Sequence, residues 1–171
     1  NKPKNSCCLH AQAYGMLLFC RSFKTERISV MTENKAAAYY YAEIISDILG
    51  KSFVPEISDA GKCSLKLTDK NDTDRILEHF GHSPEDTFFN INRANISDDC
   101  CFGAFISGVF IACGTVTNPQ KDYHLEFVTQ YKKITDEFKA LLCEIGFEPK
   151  TVKRNGGYVI YFKDSESIED I

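Results

Sequence analysis

A chain of 171 residues is long enough for one large domain or two small ones. With 43% apolar and 26% charged residues it has the composition of a folded globular protein, which excludes wholesale disorder and collagen-like architecture. The 20 basic and 24 acidic residues leave a net charge of −4, so any binding to nucleic acid must rest on a local patch rather than a global field.

In chain order, no basic segment precedes an apolar one with a cleavage site, so no signal peptide is expected. An apolar stretch from Cys7 to Cys20 predicts a first helix, with Ser6 as its cap. Alternation at Ile28, Val30 and Thr32 predicts a strand with one buried face, and a helix over 34–49 follows, stopped by Gly50. Two strands near 53–58 and 62–68 lead to a short helix over about 72–80. The segment 82–98 reads as a connector, with a turn at Ser83-Pro84 and a polar, Asn-rich stretch.

A second series then begins. Asp99 caps a predicted helix, and the apolar run 102–113 within it is too short for the roughly 20 residues that cross a bilayer. Leu125, Phe127 and Thr129 alternate, a helix over 131–145 is stopped by Gly146, and strands over 147–154 and 158–163 flank the tight-turn signal Asn155-Gly156-Gly157. The element from Ser165 is only begun when the sequence stops.

The two series are copies. Residues 7–20 align with 100–113 at a constant offset of 93, and five of fourteen positions are identical: both paired cysteines, the alanine, the glycine and the closing cysteine. Coincidence would give about one. The expected fold is α+β, a pseudo-two-fold duplicated αββαββα: residues 1–81 as the first repeat, 82–98 as connector, and 99–171 as a second repeat truncated before its last helix. Ala11 and Gly15, and likewise Ala104 and Gly108, stand four apart on one helix face, with Ser107 and Ala112 extending the small-residue surface. A glycine inside a helix costs about 0.5–1 kcal/mol relative to alanine. Its recurrence at equivalent sites points to two helix backbones in close contact.

Two such units joined through glycine-containing helices resemble the LAGLIDADG fold of homing endonucleases. The motif falls on residues 13–21 and 106–114. In that family each motif helix ends in an acid, and the two acids hold a divalent metal over the DNA; the resemblance places those positions on Cys20 and Cys113. More narrowly, the chain is similar to the N-terminal domain of the WhiA family of bacterial transcription regulators, linked to sporulation and cell division. That resemblance rests on the paired cysteines, on Gly103-Ala104-Phe105 running into Ala112-Cys113-Gly114, and on Asn118-Pro119 followed by Tyr123-His124-Leu125-Glu126. It implies a C-terminal helix-turn-helix domain as a partner outside this sequence. The opening at Asn1 without methionine and the stop within an element give the expectation of a fragment trimmed at both ends.

The chemistry expected is non-catalytic. Magnesium needs hard oxygen ligands, and thiols are soft. Cys20 and Cys113 together could bind zinc or form a disulfide, but no Cys-x2-Cys or paired-histidine spacing accompanies them, so buried packing is the default and neither metal nor cofactor is expected. Cys7-Cys8 and Cys100-Cys101 are sequence neighbours that cannot bridge within a helix, and Cys63 and Cys143 lie in apolar or alternating segments. A reduced, cytosolic protein is expected from the cysteines, and the resemblance implies association with the nucleoid. His79 and His82, three apart, read as solvated or locally bonded rather than as ligands.

In the resembling nucleases the outer strand faces form a saddle over the duplex. The candidate DNA contacts are Lys24, Arg27, Lys62 and Lys66 in the first half and Lys150, Lys153, Arg154 and Lys163 in the second, with Glu56 and Glu126 on the same face. This supports weak, salt-sensitive binding to double-stranded DNA. The rival reading is a regulatory module that docks another protein or a small ligand; a residual nuclease is the third. Because both motif helices lie on one chain, a monomer is expected.

Overall fold

The computed structural model describes residues 2–117, 124–163 and 165–171. Asn118, Pro119 and Tyr123, which carry part of the resemblance, lie outside the described residues. The first unit runs α1 (Ser6–Leu18), β1 (Ser22–Phe23), β2 (Ile28–Thr32), α2 (Lys35–Leu49), β3 (Glu56–Ile57), β4 (Cys63–Leu67) and α3 (Lys70–His79). The second runs α4 (Asp99–Cys113), β5 (Gly114–Val116), β6 (Leu125–Thr129), α5 (Lys132–Glu144), β7 (Lys150–Arg154), β8 (Gly157–Phe162) and α6 (Ser165–Asp170). Each unit folds into a four-stranded antiparallel sheet, ordered β1-β2-β4-β3 and β5-β6-β8-β7.

Local chemistry explains most of the boundaries. The Asn34 side chain accepts a hydrogen bond from the Ala37 N–H at 3.0 Å to open α2, and Gly50 closes it at φ 66°, where a side chain would be strained. Asp69 opens α3 by accepting from the Asp72 N–H. Ser6 and Asp99, expected as caps, are instead the first helical residues; Asn5 and Asp98 precede them, and neither side chain caps its helix. The sequence predicts a second unit lacking its last helix, but the six-residue α6 is present. Ile168 and Ile171, one turn apart, pack on the core and anchor it; the stretch is too short to show a helical period in sequence.

In β2 and β4 the buried faces are Ile28 and Val30 against Leu65 and Leu67, covered by α2 and α3. In β6 and β8 they are Leu125 and Phe127 against Phe162 and Ile160, with Phe138 of α5 meeting Phe127 at 5.1 Å. Between the two sheet-and-helix layers lie α1 and α4, side by side. The connector is sewn onto α1. The Tyr14 hydroxyl meets His82 Nε2 at 2.9 Å and accepts from the Asn92 N–H at 2.7 Å, while Asn95 Oδ1 lies 2.7 Å from His10 Nε2. Ile91 and Ile96 are buried beside these bonds, so 82–98 forms part of the core wall.

Candidate nucleic-acid interface

The seam between α1 and α4 sets the geometry of everything that could face DNA. A Cβ added to Gly15 would stand 2.4 Å from the Phe105 carbonyl oxygen, and one added to Gly108 would stand 2.1 Å from the Gln12 carbonyl oxygen. Both obstacles are backbone, so the glycines permit the helices to touch. Ala11 is fully buried, and Ala104, Ser107 and Ala112 are half-buried along the same helices. Gln12, which sequence reasoning did not single out, crosses the seam: its amide donates to Ser107 Oγ at 3.0 Å and accepts from the Tyr40 hydroxyl at 2.6 Å. On the other flank the rings of Tyr14 and Phe105 meet at 5.7 Å.

At the C-terminal end of the seam Cys20 follows α1 and Cys113 ends α4. Both are free thiols lining a cleft of about 540 Å³. Cys20 Sγ donates to the Ser22 carbonyl at 3.1 Å and Cys113 Sγ to the Val109 carbonyl at 3.4 Å. Burial pushes each thiol up to about 12, so both stay protonated at neutral pH. Arg21, Lys24 and Lys133 line the same cleft, and among the described residues no carboxylate does. Protonated thiols do not fit the hard divalent cation that the homing-endonuclease resemblance implies there. Lys24 reaches across the two halves, its ammonium 5.3 Å from the centre of the Tyr131 ring.

The outer sheet faces carry most of the basic candidates. In the first sheet Lys66 pairs with Ser29, and Glu56 and Met31 flank Ser64, so Lys66 and Glu56 do share the outward face; Arg27 and Lys62 are exposed in the adjoining turns. In the second, Lys150 stands beside Tyr161, which stands beside Glu126. Arg154 Nη2 donates to Glu126 Oε1 at 2.7 Å, and His124 Nε2 lies 3.0 Å from the other oxygen. The Arg154 hydrogen bond, more than His124, holds Glu126 below the usual carboxylate range against the opposing effect of burial. His124 stacks on Tyr161 at 5.6 Å and the Lys163 ammonium sits 5.8 Å from that ring. Lys153 is a correction. It pairs with Tyr158, in register with Thr129, and therefore points to the side of the sheet that α5 covers. Alternation along β7 separates it from Lys150 and Arg154.

The remaining candidates from the sequence fall elsewhere. His82 is buried against Tyr14, and His79 is exposed beside the rings of His10 and Phe80, so the two do not converge on one point. Cys63 is buried, but Cys143 lies exposed on α5. The paired cysteines, to which the sequence assigns no role and no metal site, are gathered from both helices at the N-terminal end of the seam, opposite the cleft. The Cys8 thiol is pushed up chiefly by its hydrogen bond to Cys100, with burial second.

Known proteins share this fold. The family model "WhiA LAGLIDADG-like domain" matches residues 102–171. The probable cell division protein WhiA of Ruminiclostridium cellulolyticum is 31% identical over 180 residues, covering 97% of this chain and 56% of the relative. The chain thus spans a little over half the length of the curated relatives it matches. Among solved structures, the N-terminal LAGLIDADG domain of DUF199/WhiA matches with a TM-score of 0.69 at 16% identity, over 99% of this chain and 83% of that one. I-DmoI in complex with DNA and Mn matches with a TM-score of 0.59 at 16% identity, over 96% and 94%. With the duplicated αββαββα units and the glycine seam in place, the chain carries a LAGLIDADG-like domain similar to that of the WhiA proteins.

Proposed function

We propose that this domain is a non-catalytic scaffold that lays its two sheets along double-stranded DNA and positions a C-terminal helix-turn-helix domain, in a bacterial regulator of cell-division and sporulation genes. The observation that carries the reading is the cleft at the end of the seam, where two protonated thiols and three cationic side chains take the place of metal-binding acids. Such a cleft attracts phosphate but supplies neither a hard-metal ligand nor a general base. Arg27, Lys66, Lys150 and Arg154 extend the positive surface outward. I-DmoI, which shares the fold, was solved in complex with DNA and Mn, and that likeness supports DNA as the ligand. Closure of the seam within one chain favours a monomer.

The test titrates the domain against long duplex DNA at about 50 and about 200 mM salt and incubates it with supercoiled plasmid and Mg²⁺ or Mn²⁺. Weak binding that collapses at the higher salt, with no nicking, is the expected outcome. Metal-dependent nicking lost on changing Glu26 or Glu33, exposed carboxylates in the segment between α1 and α2, would overturn the non-catalytic reading. Absence of binding at the lower salt would favour a second reading, a module that docks a protein or small ligand. One observation supports that alternative: Phe88 is 70% exposed and lines the same cleft with Phe89.

A further inference from the structure

The four paired cysteines form a cluster at the end of the seam opposite the cationic cleft. Cys7 and Cys8 are the second and third residues of α1, and Cys100 and Cys101 are the second and third of α4. Packing the helices through Gly15 and Gly108 therefore superimposes two identical thiol pairs across the pseudo-two-fold axis. All four Sγ atoms lie within 4.8 Å of one another. Cys7 and Cys8 Sγ are 4.0 Å apart and Cys8 and Cys100 Sγ are 3.3 Å apart. We infer that the four thiols are a tetrathiolate site for one zinc ion, clasping the two repeats together at the N-terminal end of their seam.

Geometry, electrostatics and access all fit zinc at this cluster. With Zn–S bonds of about 2.3 Å, a tetrahedral site places its sulfurs about 3.8 Å apart, so the cluster needs shifts of only a few tenths of an ångström to about 1 Å. Both helices present their N-terminal ends to the cluster, and neither Asn5 nor Asp98 caps its helix with a side chain, so the positive ends of two helix dipoles meet the charge of the thiolates. Cys8 and Cys101 are buried while Cys7 is half-buried and Cys100 exposed, which gives a site closed on one side and reachable from the other. Soft sulfur ligands without an oxygen donor select zinc over magnesium or calcium. Residue spacing alone does not reveal such a site because each half supplies only a vicinal pair; the second pair arrives 92 residues away, through the fold.

The experiment uses the chain as it folds, with thiols kept reduced, and zinc or cobalt alone as probe. Expected are one zinc per chain, an absorption shell of sulfur only at about 2.3 Å, and a Co²⁺ spectrum with strong thiolate charge transfer and intense tetrahedral d–d bands. Zinc should raise the thermal midpoint, and chelation should lower it again. Changing the outer pair, C7S/C100S, should abolish stoichiometric binding and the zinc-induced shift, while C63S/C143S should retain both. The inference falls if the reduced chain stays metal-free in excess zinc, if nitrogen or oxygen enters the shell, if C7S/C100S binds as wild type does, or if the reduced preparation carries a Cys8–Cys100 disulfide. The wild-type cobalt spectrum decides the matter even if a variant misfolds. The site's presence does not depend on DNA binding, so the two readings fail separately.

Discussion

Gly108 and His82 show how single side chains govern this molecule. At Gly108 a methyl group gains about 1 kcal/mol of helix propensity but meets the Gln12 carbonyl at 2.1 Å, and a backbone in a packed seam cannot rotate away. Gly108→Ala is therefore expected to destabilise by on the order of 2 kcal/mol, read from the urea midpoint. An unchanged midpoint would mean that the helices stand further apart. His82 is 7% exposed, stacked on Tyr14 and bonded to its hydroxyl, and burial lowers its pKa from the ordinary 6.5. The unfolded chain takes up the proton first as pH falls, so stability is complete above 6.5 and is lost progressively below it. His82→Gln should flatten that acid slope in denaturation curves measured between about pH 7 and pH 5. His79, also lowered by burial and by His10, leaves a residual slope. An unchanged slope in His82→Gln would remove His82 as its source.

Among the elements, β7 offers the sharpest division. Lys150 and Arg154 face outward and Lys153 faces the α5 side of the same five-residue strand. If the outer face meets DNA, Lys150→Glu with Arg154→Glu should weaken binding and reduce the salt slope by roughly 0.9 for each phosphate no longer neutralised, whereas Lys153→Glu should do neither. Equal effects from both faces would point to non-directional attraction. This division also shows what sequence could reveal. The offset of 93 identifies which glycines meet, because repetition at Gly15 and Gly108 is a one-dimensional signal of a three-dimensional contact. Alternation marks β2 and β6, whose buried faces are long enough to show a period. It misses β1 and β5, which are two and three residues long. Lys153 is misplaced by sequence alone because β7 is exposed on both faces, so burial leaves no imprint on its residues. The thiol cluster is illegible for another reason: no segment holds more than half of it, and only the packing of α1 on α4 completes it.

For the whole molecule, the seam carries different chemistry at its two ends, thiols gathered at one and a cationic cleft at the other. The connector reinforces it, since the Tyr14 hydroxyl is shared between His82 and the Asn92 backbone. Fusion of the copies has a further consequence at the crossing points. In a homodimer each replacement near the axis occurs twice, and both partners must accept it. Here Gln12 has Phe105 as its counterpart and Ser107 has Tyr14, yet Gln12 meets Ser107 through a hydrogen bond while Phe105 meets Tyr14 through ring contact. One flank has become polar and the other aromatic without either obliging the other to follow. Symmetry is enforced only where main chain abuts main chain, and elsewhere a single gene can differentiate its two sides one change at a time.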